Sequence, residues 1–382
     1  MDDNAIEYIP FEEAVIHDLL QRWHNQYPAM GVMALVPEAE NQHIPLLQSS
    51  CQQFGVPLTG AVFPALVTDA GWRNNGCWLL RLNQQPPCHL FENIPDRTDT
   101  AQDIATKLEP FLELANDTDK PTLFMMFDSM LPDVGTIVEN LYLHLADSVH
   151  YAGINAGSET FQPMPCLFDT SKIIENGVWC MLLPVWAGML LEHGYPAPDK
   201  VISATSAEGN RIISIDWQPA FDVYKQLVLE ECGVALSADN FYQYACYFPL
   251  GILQANNEVV VRIPVSIHSD GSIVCVGDVP ANTSLVLLHA PPLNESQCVT
   301  QICHRLQTDL SEISGWPLLM FYCAARRVHL DSDTLKELTN LKSCTSATKL
   351  AGALSLGEIG SRRIWGYPMF HSAALLCGSW KY

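Results

Sequence analysis

Cys323, Arg326 and Arg327 stand together in the run Phe321-Tyr322-Cys323-Ala324-Ala325-Arg326-Arg327. The run begins as an apolar strand, and α/β proteins gather ligands at the carboxyl ends of strands. A guanidinium placed there suits an anion, because its fork of donors matches a carboxylate. Arg326 or Arg327 is therefore a candidate clamp for an anionic ligand. Glu358 would compete for either one as an internal ion pair. Cys323 becomes a nucleophile only with a base beside it, and nothing in the sequence sets a histidine against it. A second arginine pair, Arg362-Arg363, falls in a stretch that reads as an exposed surface loop.

Other chemistries find less support. Cys298, Cys303 and His304 fall on one helix, whereas structural zinc wants paired ligands at two separate places. There is no Gly-x-Ser-x-Gly elbow, no Gly-x-Gly-x-x-Gly and no Walker loop. Glu12-Glu13 and Glu230-Glu231 occupy adjacent helix positions and point apart.

The 382 residues include 20 basic and 42 acidic ones, for a formal net charge of -22. Such a surface repels phosphate backbones and acidic lipid headgroups, which argues against nucleic-acid and peripheral membrane binding. Hydrophobic residues make up 48% and aromatic residues 9%, which excludes intrinsic disorder. The longest apolar stretch, Gly177 to Leu191, contains Pro184 and falls short of the about 20 residues a membrane span needs. The chain opens Met1-Asp2-Asp3-Asn4, unlike a secretory signal. Its thirteen cysteines are an odd number, so the expectation is a reducing cytoplasm with most thiols buried.

Several elements are needed to position these groups. Residues 1–27 read as a helical lead-in. Gly31 to Val36 reads as a strand, Ile44 to Phe54 as a helix ended by Gly55, and Trp78 to Leu82 as a strand. Pro121 to Asp128 is a strand emerging on an acid, Val134 to Leu145 a helix, and Tyr151 to Gly157 a loop of small residues. Val259 to Val265 and Ser272 to Val276 flank a turn at Ser269-Asp270-Gly271 and read as one hairpin. His371 to Gly378 is the final strand. No repeat stands out at a period of 20–50 residues. The rhythm predicts an α/β fold: two domains with mixed β-sheets covered by helices. Pro196 and Pro198 mark the boundary, giving parts over residues 1–195 and 196–382.

The second half carries an ordered set of phrases: Glu208-Gly209-Asn210, Pro219-Ala220-Phe221-Asp222, Phe248-Pro249-Leu250-Gly251, Val261-Arg262, Gly277-Asp278-Val279-Pro280, the Cys323 run, and Gly357-Glu358-Ile359-Gly360 with Phe370-His371. Their order and spacing resemble the FIST family, an intracellular sensory module found alone or fused to bacterial signalling enzymes. The resemblance covers almost the whole chain, as an N-terminal FIST part and a C-terminal FIST part. It implies ligand sensing rather than a known catalytic reaction. Stand-alone members of this size resemble nitric-oxide sensors that bind haem and regulate a partner histidine kinase or a cyclic-di-GMP circuit. These 382 residues contain no kinase or GGDEF segment, so the expected output runs through a partner protein.

If haem b is the cofactor, no Cys-x-x-Cys-His attaches it, and a histidine must ligate the iron. His371 and His268 are the candidates, with Arg262 placed to neutralise a propionate. Where the family often has Asn after the late His, this chain has His371-Ser372-Ala373-Ala374, which makes the expected pocket wall more apolar. Two alternatives stand beside this one. One is a module that binds an amino acid or other small carboxylate through Arg326 or Arg327. The other is an enzyme using Cys323.

Overall fold

The computed structural model describes residues 4–94, 98–112, 120–184, 188–310, 313–364 and 366–381. Within them the chain builds the expected mixed α/β fold, with four sheets. Three of the sheets follow one plan. Each is centred on two parallel strands joined by helical crossovers: Gly31–Pro37 with Leu58–Phe63, Thr122–Asp128 with His150–Ala156, and Leu318–Cys323 with Leu350–Ser355. A return strand then lies antiparallel to the first of each pair: Cys77–Leu82, Gly177–Leu183 and Leu375–Ser379. An edge strand from earlier in the chain flanks each return strand: Ile6–Ile9, Cys88–Glu92 and Leu190–Glu192.

Between the second parallel strand and the return strand, each unit sends a hairpin to a different sheet. Leu66–Thr68 of the first unit pairs with Leu350–Ser355 of the third. Glu358–Gly360 of the third pairs with His150–Ala156 of the second. Leu167–Asp169 of the second pairs with Leu58–Phe63 of the first. The exchange closes into a ring. The repeated feature is topology, and its units are longer than the spacing at which the sequence shows no repeat.

The inner faces of the three sheets meet in one core. The Phe321 ring stacks on Phe124 at 5.7 Å and lies 6.0 Å from Phe63, so one ring from each sheet meets there. Helix pairs cover the outer faces. Glu13–Gln26 packs with Ile44–Phe54, Thr98–Leu112 with Val134–Leu145, and Cys298–Asp309 with Thr334–Thr345. Ile44–Phe54 ends as expected on Gly55 at φ 65°.

The fourth sheet is wholly antiparallel and occupies residues 201–287. It is inserted into the third unit, between edge strand Leu190–Glu192 and helix Cys298–Asp309. The Pro196–Pro198 stretch is where the chain enters it. A division at residue 195 therefore passes through the third unit, and two sheets of the core take strands from both sides of that line.

Several elements differ from their sequence reading. Residues 6–9 form a strand ahead of the first helix. Tyr151 to Gly157 is mostly strand, His150–Ala156, because small residues suit a central position. At Gly153 a Cβ would come within 2.8 Å of the Met125 carbonyl oxygen. Val259–Arg262 pairs with Leu250–Leu253, and the hairpin uses Pro264–Ile267 against Ile273–Cys275 instead. The final strand is two strands in two sheets, Met369–His371 and Leu375–Ser379. Ala373 turns the chain between them at φ 65°, a left-handed conformation uncommon for a residue with a Cβ.

The central aromatic contact gives a direct test. Truncating Phe321 to Ala should cost about 3–5 kcal/mol by leaving a cavity where three sheets meet. Urea unfolding followed by circular dichroism should show one cooperative transition at lower midpoint.

Candidate functional site

A cleft lies where the inserted sheet faces the strand ends of the second and third units. It has two chambers that share Phe161, Val265 and Val276. The outer one, about 290 Å³, is walled by Met130, Asp133, Asn155, Asp278 and Phe370 in addition. The inner one is narrower, about 30 Å³, and reaches Cys246, Ile263, Cys323, Ser355 and Ser372. That is room for a water or two. Strand ends in open α/β sheets are where ligands collect.

The inner chamber rests on a hydrogen-bonded group under its floor. Ser355 donates to Glu358 Oε1 at 2.6 Å, and the Ala374 N–H donates to Oε2 at 3.1 Å. The Ala373 N–H points at Cys323 Sγ at 3.0 Å. Ser372 Oγ donates to the Val261 carbonyl and accepts from the Ile263 N–H. The segment that crosses between sheets thus supplies amides to the site. Burial pushes the Glu358 carboxyl up to about 8. Burial, and then the nearby Glu358, pushes the Cys323 thiol well above its ordinary value. Both groups keep their protons at neutral pH, and a protonated thiol is a weak nucleophile.

The arginines singled out in the sequence as anion or propionate contacts are engaged. Arg326 is fully buried and paired with Glu337, its Nε donating at 2.9 Å, while its Nη1 donates to the His193 carbonyl at 3.0 Å. Glu358 is not its partner. Arg327 pairs with Glu159 at the rim of the inner chamber. Arg262 donates to the carbonyls of Asp278 at 2.8 Å and Phe370 at 2.7 Å, tying the inserted sheet to the core. Arg362, read as surface, instead grips both oxygens of the buried Glu192, at 2.9 and 2.8 Å, because its loop folds back over strand Leu190–Glu192. Arg363 is exposed.

His371 is buried, and neither ring nitrogen has a hydrogen-bond partner. Its ring lies 5.4 Å from that of His193. Burial, then the charge of its neighbours, holds its pKa well below the usual histidine value; burial takes His193 down to about 4. His268 is exposed in the hairpin turn, accepting from the Gly271 N–H, and is not brought to Arg262 or His371. His371 has the free nitrogens that a haem ligand requires. It lines neither chamber of the cleft, however, and His193 packs against its ring. Haem b does not fit the residues in this arrangement.

Two groups were missed by sequence reasoning. Asn155 and Asp278 line the outer chamber, and each is at least nine-tenths buried with one oxygen, Oδ1, lacking a partner. Asp278 stood within the Gly277-Asp278-Val279-Pro280 phrase, which was the available signal. Asn155 lies within the run from Tyr151 to Gly157, which reads as a loop of small residues. Glycines at 277 and 357 let the Phe370 ring close the chamber; a Cβ at either would come within 2.6 and 2.5 Å of it.

Among the described residues no group of three or more His, Cys, Asp or Glu side chains is placed to hold a metal. Cys303 forms a disulfide with Cys344 across two helices, Cα to Cα 6.2 Å, so this pair departs from the expectation of thiols. Among the described residues no helix is long and apolar enough to cross a membrane.

An α/β framework with a cleft at its strand ends is the form of a small-ligand-binding protein. The comparisons make this specific: the FIST N domain matches residues 32–218, and the FIST C domain matches residues 220–361. The chain belongs to the FIST-domain family, whose domains serve sensing in signal transduction and are not a known enzyme family. No curated protein matches the chain.

Glu358 yields a pH prediction. Its carboxyl holds a proton more tightly in the fold than in the unfolded chain, where its ordinary value is 4.5. Stability is therefore full below 4.5 and is lost as pH rises through about 8. Glu358→Gln mimics the protonated form. It should change little at pH 5 and raise unfolding free energy by on the order of 3 kcal/mol at pH 8. Equal effects at both pH values in urea titrations would reject the assignment.

Proposed function

We propose that this protein senses a small molecule in the cleft between its inserted sheet and its three-sheet core. One observation carries the reading. Five of the seven phrases, scattered from residue 208 to residue 371, converge on this cleft. Asn210, Asp278, Phe370, Cys323, Ala324 and Ala325 all line it, with Arg262 and Glu358 directly behind. A ligand there touches the insert and the core together, so it favours whichever relative packing gives it more contact. The output passes to a partner protein, a histidine kinase or a cyclic-di-GMP circuit.

The haem-based nitric-oxide version draws support from the buried, unpartnered nitrogens of His371. Its packing against His193 counts against it. The carboxylate version requires an arginine to leave Glu337 or Glu159, and the Cys323 enzyme requires a thiolate at a site that favours the thiol.

Val265 stands on the shared wall of both chambers. Val265→Trp should fill that wall. In a thermal-shift screen of metabolites, compounds that stabilise the wild type should lose their effect on this variant. Hits that stabilise both equally bind elsewhere, and the cleft reading fails. Reconstitution with haem is a separate measurement. A Soret band that moves with nitric oxide and is lost in His371→Ala would support the haem version, whereas the spectrum of free haem alone removes it.

A further inference from the structure

Eleven of the thirteen cysteines are free thiols, and nine of these are buried. Burial pushes the thiols of Cys51 and Cys275 up to about 12, which makes them poor nucleophiles. The Cys303–Cys344 pair is placed differently. Cys303 lies in the middle of helix Cys298–Asp309, and Cys344 in the last turn of helix Thr334–Thr345. Their Cα atoms stand 6.2 Å apart, inside the range that a disulfide spans, so neither helix has to shift for the bond to form. Cys303 is 4% exposed, whereas Cys344 is half-buried. A groove of about 540 Å³ runs along the pair, with polar groups in its wall, among them Thr300, His304, Gln307 and Asn340. It gives a small polar thiol a way to Cys344.

What the two helices hold gives the bond its reach. The chain leaves the core for the inserted sheet at Glu192 and His193. The first helix holds Glu192. Arg305, two residues beyond Cys303, pairs with its carboxylate, and Cys298 Sγ donates to its carbonyl at 3.4 Å. The second helix holds His193 at one remove. Glu337, two turns before Cys344 on the same face, pairs with Arg326, whose Nη1 donates to the His193 carbonyl at 3.0 Å. Three amides lie within this grip. The N–H groups of His193 and Gly194 donate to Glu192 Oε1 at 3.1 and 3.2 Å, and that of Tyr195 donates to His193 Nδ1 at 3.0 Å. The cross-link sets the spacing between the two helices and so between their holds on the neck.

We propose that Cys303–Cys344 is a reversible redox site, opened and closed by exchange with low-molecular-weight thiols and disulfides in that groove, and that its state sets how firmly the neck of the insert is held. The thiolate of an incoming thiol attacks the Cys344 sulfur, the bond to Cys303 breaks, and Cys303 leaves as a thiolate. A second small thiolate attacks the small molecule's sulfur in this mixed disulfide and releases Cys344, forming the small-molecule disulfide. Two electrons pass to the protein, and the two protons lost by the small thiols end on Cys303 and Cys344. The reverse sequence restores the bond. This input acts at the neck and goes beyond the cleft reading, since it holds whatever the cleft binds.

The probe is glutathione. The full chain is equilibrated at pH 7 in mixtures running from oxidised glutathione alone to about a hundredfold excess of the reduced form, then quenched in acid, alkylated and mapped by mass. The Cys303 and Cys344 peptides should pass from a linked pair to two alkylated thiols within the series, while Cys51 and Cys275 stay thiols throughout. Hydrogen exchange on the same samples should run about tenfold or more faster from His193 to Tyr195 in the reduced form, with no change in strand Thr122–Asp128. Cys344→Ser should show the fast neck exchange in every mixture. A pair that stays linked under excess reduced glutathione overturns the proposal. So does a pair that stays as thiols in the oxidised reagent, glutathione left on Cys344 in place of the bond to Cys303, or neck exchange that is equal in the two redox states. No cleft ligand enters the measurement, so failure here leaves the cleft reading standing.

Discussion

A strand edge inside a protein leaves a row of amides and carbonyls that must be paired. In each of the three core units the second parallel strand has such an edge. The hairpin that closes it comes from another unit, in a ring that runs from the first to the third, from the third to the second, and from the second back to the first. No unit completes its own sheet. Folding is thereby tied to joint assembly, and the two halves that the sequence suggests cannot be separated in the core.

The same constraint builds the cleft. Each hairpin leaves its unit after the carboxyl end of a parallel strand, and those of the second and third units leave beside the cleft, at Phe161 and Phe370. The crossing at Ser372–Ala374 gives its amides and hydroxyl to Cys323, Glu358 and the inserted sheet. The Arg262 guanidinium joins the insert to Phe370, and Asp278 beside it reaches helix Val134–Leu145 in another unit. A change in cleft contents is therefore felt at once by the inserted sheet and by two of the three core units.

Local structure was largely legible in the sequence because its signals are local. Gly55 ends its helix, apolar runs mark the central strands, and Val134–Leu145 shows its helical period. Partnership was not legible, because it depends on residues far apart in the chain. His371 looked like the opening of a strand, yet it closes one in a different sheet. The sequence sets Arg326 against Glu358, but its carboxylate is Glu337, one helix further along. Asn155 was hidden for a related reason. Its strand is made of small residues that suit a loop by composition and a crowded sheet by packing. The phrases that resemble the family mark the cleft well, but they do not report which charges in it are already neutralised.

The inserted sheet leaves and rejoins the core at nearly one point. Gly194 lies against Cys298, Cys298 Sγ donates to the Glu192 carbonyl at 3.4 Å, and Arg326 holds the His193 carbonyl. Some hundred residues thus enter and leave through a neck two strands of chain wide, and their body is fastened to the core a second time through Arg262 and Ser372. The arrangement makes the insert a replaceable cassette: a chain whose ends already meet can lengthen, shorten or change its surface without disturbing the ring of exchanged hairpins beneath it.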